Sequence, residues 1–223
     1  SRMGFKHRKL RKKPALNAEH RKKRKKFALK HIARTDWNFI WFTDEKKFNL
    51  DGPDGYAYYW HHLSDPSDAN FISKSFSPKK GIMVWGAICA TGSSILHRHR
   101  AKRINSEEYI RVLKEELEPV ISEMQEDQEG IRWRVIQDNA PIHNSKQTRK
   151  YLDFSEIDTL KWPPISPDLN IIENVWSWLA RKVYQDGKSY ANLEDLWTGI
   201  QNAWSKIPEE YIQKLVNSMD DRL

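Results

Sequence analysis

Cysteine is almost missing from this 223-residue chain. Cys89 stands alone, which excludes an internal disulfide and fits a reducing compartment. Long apolar runs are missing too. None approaches the ~18 residues of a spanning helix, so no membrane segment is expected. The opening Ser1-Arg2-Met3-Gly4 has no apolar h-region, so no secretory signal is expected. No Cys/His spacing suggests zinc. Acids are scarce in one place only: residues 1–34 contain Glu19 and no other.

What is present is a globular composition with an uneven charge. Apolar residues make up 39% and charged residues 30%, as expected for one domain with a substantial core plus an extension. The net charge is +8. Residues 1–34 hold 15 of the 38 bases, so this arm carries +14 and residues 35–223 carry −6. A basic arm of this kind binds nucleic acid by releasing counterions, without reading sequence. The run Arg21-Lys22-Lys23-Arg24-Lys25-Lys26 also reads as a nuclear localisation signal or as a solvated face.

The order of elements points to an α/β fold. A helix is expected over 17–33, capped by Asn17 and packing little of itself into the core. An apolar strand over 38–43 ends at Asp44, with a return strand over 46–50. Residues 56–60 look strand-like, and 61–80 form a long Ser-, Asp-, Pro- and Lys-containing loop of the kind that is often functional. Strands follow at 82–88 and 95–99. Ser106 opens a helix with apolar positions Tyr109, Ile110, Leu113, Leu117, Val120 and Met124. Residues 133–137 form a strand ending in Asp138. A helix near 144–152 and a strand near 157–161 come next. Ser166 and Pro167 then start a helix whose apolar stripe runs Leu169, Ile172, Trp176, Leu179, Val183. Helices at 192–205 and 208–219 complete a mixed sheet with helices on both faces.

Two strands that end in aspartate, if parallel neighbours, bring both carboxylates to one crevice at the sheet edge. Glu173 borders the apolar stripe of its helix and can point to the same crevice. Three converging carboxylates repel one another and raise their pKa values. A divalent cation removes that penalty, and hard oxygen donors select Mg²⁺ or Mn²⁺. Two such ions about 3.5–4 Å apart activate water and stabilise a phosphodiester's leaving oxygen. Taken singly, each acid is equally well a turn-former, a helix cap or a solvated surface group.

Three motifs sharpen this: Phe42-Thr43-Asp44-Glu45-Lys46-Lys47-Phe48, Gln137-Asp138-Asn139-Ala140-Pro141-Ile142-His143 and Ser166-Pro167-Asp168-Leu169-Asn170-Ile171-Ile172-Glu173-Asn174-Val175-Trp176. In order and spacing, with 34 residues between Asp138 and Glu173, they resemble the Tc1/mariner transposases, on their Tc1/Tc3 branch. The resemblance covers about residues 15–223. It implies an RNase H-like fold of the retroviral integrase type. It also implies Mg²⁺- or Mn²⁺-dependent hydrolysis at transposon ends, then attack of the freed 3′-hydroxyl on a TA target in double-stranded DNA. Asp44, Asp138 and Glu173 would be the metal-binding catalytic triad, holding two ions. The loop at 61–80 falls where the family carries a clamp reaching the other subunit of a synaptic homodimer. Arg21, Lys22, Lys23, Arg24, Lys25, Lys26, Lys79, Lys80, Asn139 and His143 are the expected DNA contacts. For Asn139 and His143 a triad-orienting or structural role stays open, and for His143 a metal-ligand role as well. Residues 1–34 would be the linker following paired helix-turn-helix domains, so the chain is expected to be part of a longer nuclear protein. Two departures concern local DNA contacts: Ser77-Pro78-Lys79-Lys80-Gly81 replaces a Gly-rich strip, and Ile171 stands where proline is usual. A host-adopted, inactive DNA-binding relative is the alternative. An RNase H-type nuclease acting on RNA–DNA hybrids is disfavoured, because a second early carboxylate is missing.

Overall fold

Strands apolar on both faces need cover on both sides, and that requirement organises the chain. The computed structural model describes residues 16–52, 80–92, 94–100, 104–127 and 130–223. The expected strand at 56–60, Lys79 and the expected clamp loop up to that residue lie outside these residues. The strands are β1 (Ile40–Asn49), β2 (Gly81–Ile88), β3 (Ser94–Arg98), β4 (Arg134–Ile136) and β5 (Asp158–Thr159). They form one sheet in the order β3-β2-β1-β4-β5. β1 and β3 run antiparallel to β2, whereas β4 runs parallel to β1 and to β5. The helices are α1 (Ala18–His31), α2 (Ser106–Val112), α3 (Glu118–Asp127), α4 (Lys146–Phe154), α5 (Ile172–Val183), α6 (Leu193–Trp204), α7 (Glu209–Asn217) and α8 (Met219–Arg222).

Side-chain alternation splits the core into two layers. Ile40, Phe42 and Phe48 of β1, with Val84, Ile88 and Ile136, pack under α5, α6 and α7. Trp41, Trp85, Ala87 and Val135 point the other way, under α2, α3 and α4. The stripe Leu169, Ile172, Trp176, Leu179, Val183 is buried throughout. The expected mixed sheet with helices on both faces is therefore present.

Three local expectations change. β1 is one ten-residue strand rather than two. The charged run Asp44–Lys47 looked like a break, but β2 pairs with β1 all the way to Asn49. β4 stops at Ile136, so beyond Phe42 no strand among the described residues pairs with β1 on that side, and polar side chains there are tolerated. The last long helix begins at Ile172, not at Pro167. Ser166 does not cap it, since the helix starts six residues later; its hydroxyl donates to Pro164 O at 2.9 Å. Residues 166–173 instead descend through three-residue turns, including Glu173 N to Asn170 O at 3.2 Å. Asn105, one residue before Ser106, caps α2, and α2 runs into α3 through a π-helical turn at Leu113–Leu117 that no periodicity foretold.

The second half of the basic arm is docked, contrary to expectation. Asn17 caps α1 by accepting from His20 N. Phe27 is buried edge-on against Trp162, their ring centroids 5.1 Å apart. Arg24 grips Asp168 with both guanidinium nitrogens at 2.8 and 2.5 Å. An apolar anchor and a bidentate pair thus hold α1 against the loop that leads into α5.

Candidate active site

Asp44 lies where β1 outruns β4. Phe42 pairs with Ile136, the last residue of β4, and Asp138 follows two residues on. Thr43 locks this junction, donating its hydroxyl to Ile136 O at 2.7 Å. Its own carbonyl accepts from Asn170 Nδ2 at 3.0 Å, tying β1 to the turn that launches α5. That turn places Glu173 in the first turn of α5, where the helix dipole favours an anion. The parallel-neighbour geometry expected for the two aspartates is present.

Asp44 faces α5. Trp176 donates its indole N–H to Asp44 Oδ2 at 3.1 Å. Burial, and then the like charges of Glu173 and Glu45, push the Asp44 carboxyl up to about 7. Burial also raises Glu173, with Lys46 working against it. Asp138 behaves oppositely. His143 Nδ1 lies 2.7 Å from Asp138 Oδ1, which also accepts from Ala140 N at 2.8 Å. The His143 hydrogen bond holds Asp138 below the usual carboxylate range. Burial works to lower His143, but Asp138 and Glu45 outweigh it and raise the imidazole to about 9. His143 is therefore a cation that donates to Asp138 and, from Nε2 at 3.2 Å, to Glu45. Tyr109 covers its ring at 4.3 Å.

The three acids thus divide. Burial pushes both Asp44 and Glu173 up, and Glu173 adds to the rise of Asp44, while Asp138 is held low and turned toward His143. Among the described residues the three do not form a group with ligand atoms all within 4.8 Å of one another. A buried carboxyl raised by burial and by neighbouring acids is a group that gains by taking up positive charge.

Residues 39–197 match the DDE superfamily endonuclease family. The chain belongs to that family. Its kin are the Tc1/mariner transposases. It is 41% identical over 215 residues to the transposable element Tc3 transposase of Caenorhabditis elegans, covering 96% of this chain and 63% of that protein. The fold matches the Mos1 transposase paired-end complex with left transposon end (TM-score 0.77, 17% identity, 99% of this chain and 65% of that one). It also matches the Mos1 catalytic domain with Raltegravir and Mg (TM-score 0.73, 16% identity, 93% of each chain). The RNase H-like expectation holds for this DDE domain.

The expected DNA contacts separate. Arg21, Lys22, Lys23, Lys25 and Lys26 are exposed on α1, Lys23 pairing with Glu19 at 2.7 Å, and Lys80 is exposed before β2. Arg24 is committed to Asp168 rather than free for a phosphate. Asn139 is exposed, but its amide donates to Trp162 O at 3.1 Å. His143, 3% exposed, is not a DNA contact in this arrangement; it orients Asp138.

Three participants escaped the sequence reading. Trp176 was read only as core, although a buried indole N–H needs an acceptor. Asn170 looked like part of a motif without a task. Gly86 lies opposite Asp44 in the β1–β2 register, and a Cβ there would stand 2.5 Å from Trp176 Cη2. Only its bare backbone admits the indole that holds Asp44.

Proposed function

We propose that this chain is the catalytic domain of a cut-and-paste DNA transposase, which hydrolyses phosphodiesters at transposon ends and transfers the 3′-hydroxyl into a TA target. The observation that carries this is the parallel β1–β4 pair, which brings Asp44 and Asp138 to one edge of the sheet, with the charge of Glu173 acting on Asp44. The chain spans about 63% of the length of the Tc3 relative, so the activity of the whole protein belongs to this proposal. The donor set, three carboxylates with no sulfur or imidazole facing Asp44, fits Mg²⁺ or Mn²⁺, and a Mos1 catalytic domain has been solved with Mg. Asp44, Asp138 and Glu173 would hold two such ions. When bound, divalent ions there supply an activated water and charge stabilisation for the leaving oxygen.

The chain's own residues prepare the site. Trp176 fixes the Asp44 carboxylate by its N–H. His143 fixes Asp138 and keeps it ionised. Asn170, anchored on Thr43 O, sets where α5 and hence Glu173 begins. The exposed bases of α1 offer phosphate contacts on double-stranded DNA that the mildly acidic remainder of the chain does not. A homodimer that synapses two ends, and nuclear residence, complete the proposal. The relatives are transposases, and nothing in the comparisons favours an inactive, host-adopted protein.

The test is nicking of a supercoiled plasmid carrying the element's terminal repeats, with Mg²⁺ or Mn²⁺. The wild-type chain is expected to nick, and Asp138→Asn and Asp44→Asn are not. Equal nicking by all three, or none under any divalent ion, overturns the assignment.

A further inference from the structure

A buried imidazole usually has a partner for each ring nitrogen. His99 has none. It follows β3, continues the pairing through its N–H to Met83 O at 3.0 Å, and its side chain is 0% exposed. Neither Nδ1 nor Nε2 has a hydrogen-bond partner, and Glu108 Oε1 stands 3.5 Å from Nδ1. His97, two residues earlier, points to the same face of the sheet, with its ring centroid 5.3 Å from that of His99. Glu108 comes from the first turn of α2. One ligand atom from each of these three lies within 4.8 Å of the other two.

We propose that His97, His99 and Glu108 form a transition-metal site of the Zn²⁺ class, separate from the three carboxylates, which cross-links the end of β3 to α2. Two imidazoles with one carboxylate favour Zn²⁺, Co²⁺ or Ni²⁺ over Mg²⁺ or Ca²⁺. Three protein ligands leave a fourth tetrahedral position for water. The surroundings are arranged as such sites require. His97 Nδ1 is held by Glu116 Oε1 at 2.8 Å, which fixes the ring and leaves Nε2 for the metal. Arg111 contacts both oxygens of Glu108 at 2.6 Å, orienting that carboxylate while its remaining lone pairs face the histidines. A cation there takes up one of the two orphaned nitrogens of His99 and offsets the charges of Glu108 and Glu116. The site also has a bearing on the acids. Trp85 of β2 pairs with Glu45 on one side and His97 on the other, so a cross-link there stiffens the sheet row that ends at Glu45, the second partner of His143.

The test uses the whole chain, stripped with chelator and kept in excess Mg²⁺ so that the carboxylates are occupied. Co²⁺ is titrated and its visible d–d absorption recorded, followed by competition with Zn²⁺ and thermal unfolding with and without Zn²⁺. One Co²⁺ per chain is expected in a low-symmetry, four-coordinate spectrum. Zn²⁺ should displace it and raise Tm. His97→Ala and Glu108→Gln, at side chains 15% and 12% exposed, should each weaken Co²⁺ binding at least tenfold, and Asp44→Asn should leave it unchanged. The proposal is overturned by no such spectrum in the wild type, by a spectrum that persists at unchanged affinity in both ligand variants, or by one lost in Asp44→Asn.

Discussion

Replacing Gly86 by alanine adds one methyl group in the sheet opposite Asp44. By strand propensity alone the change is neutral or favourable, because glycine weakens a strand interior. The packing predicts the reverse. The new Cβ would lie 2.5 Å from Trp176 Cη2, 3.0 Å from Trp176 Cζ2 and 3.1 Å from Trp204 Cη2. Ordinary carbon contacts begin near ~3.5 Å, so the indole of Trp176 must retreat by about 1 Å, and Trp204 limits where it can go. The Trp176 hydrogen bond to Asp44 Oδ2 is already 3.1 Å long and does not survive such a move. Overpacking costs about 1–3 kcal/mol, and a lost hydrogen bond to a carboxylate about 1.5–3 kcal/mol. Their sum, roughly 2.5–6 kcal/mol, is an upper range because one displacement relieves part of the strain. The assay is urea denaturation followed by tryptophan fluorescence, with plasmid nicking alongside. A lower midpoint at unchanged m-value is expected, together with loss of nicking. A midpoint equal to or above that of the wild type, with nicking intact, refutes the claim that Gly86 makes room for the residue that holds Asp44.

Asp44 should make the metal-free protein lose stability as pH rises. Its folded pKa, about 7, exceeds the ordinary aspartate value of 3.8, so the folded state keeps a proton that the unfolded chain has released. Stability then falls between about pH 4 and 7, by up to about 4 kcal/mol; denaturation series should show the fall in the wild type, not in Asp44→Asn, and diminished by saturating Mg²⁺. His143 has its folded value raised to about 9 from 6.5, so its pairing stabilises fully below pH 6.5 and is lost as pH rises through about 9. The stability gap between wild type and His143→Gln should therefore shrink by up to about 3 kcal/mol from pH 6 to 10, and a pH-independent gap contradicts the ion-pair assignment. Phe27→Ala combined with Arg24→Ala should release α1, read as faster tryptic cleavage at Arg21–Lys26 while the urea midpoint of the remaining domain stays put. Unchanged cleavage means the docked helix is not held by these contacts.

Much of this was legible because it rested on periodicity. The stripe Leu169 to Val183 is buried throughout, and the apolar runs at β1, β2 and β4 all form strands, although β1 runs on to Asn49 and α5 starts later than expected. Asp44, Asp138 and Glu173 were found from motif spacing, and the parallel pairing of β1 with β4 brings the two aspartates to one edge. What stayed hidden depends on contacts between segments far apart in the chain. Arg24 reads as one more base in a cationic run until Asp168 is seen beside it. His143 reads equally as DNA contact or ligand until its burial against Asp138 and Glu45 is known. The start of α5 was misplaced because Ser166-Pro167 has the local look of a cap, whereas Asn170 is drawn away to Thr43 by tertiary structure. Glu108, His97 and His99 lie at no familiar metal spacing, since a strand and a helix bring them together.

The most direct measurement is anomalous diffraction from crystals of this chain grown with Mn²⁺. Two anomalous peaks are expected among the carboxylates of Asp44, Asp138 and Glu173, and both should vanish in Asp44→Asn crystals grown alike. Mn²⁺ bound only elsewhere, or peaks that persist at that place without the Asp44 carboxylate, would contradict a catalytic metal centre built on these three acids.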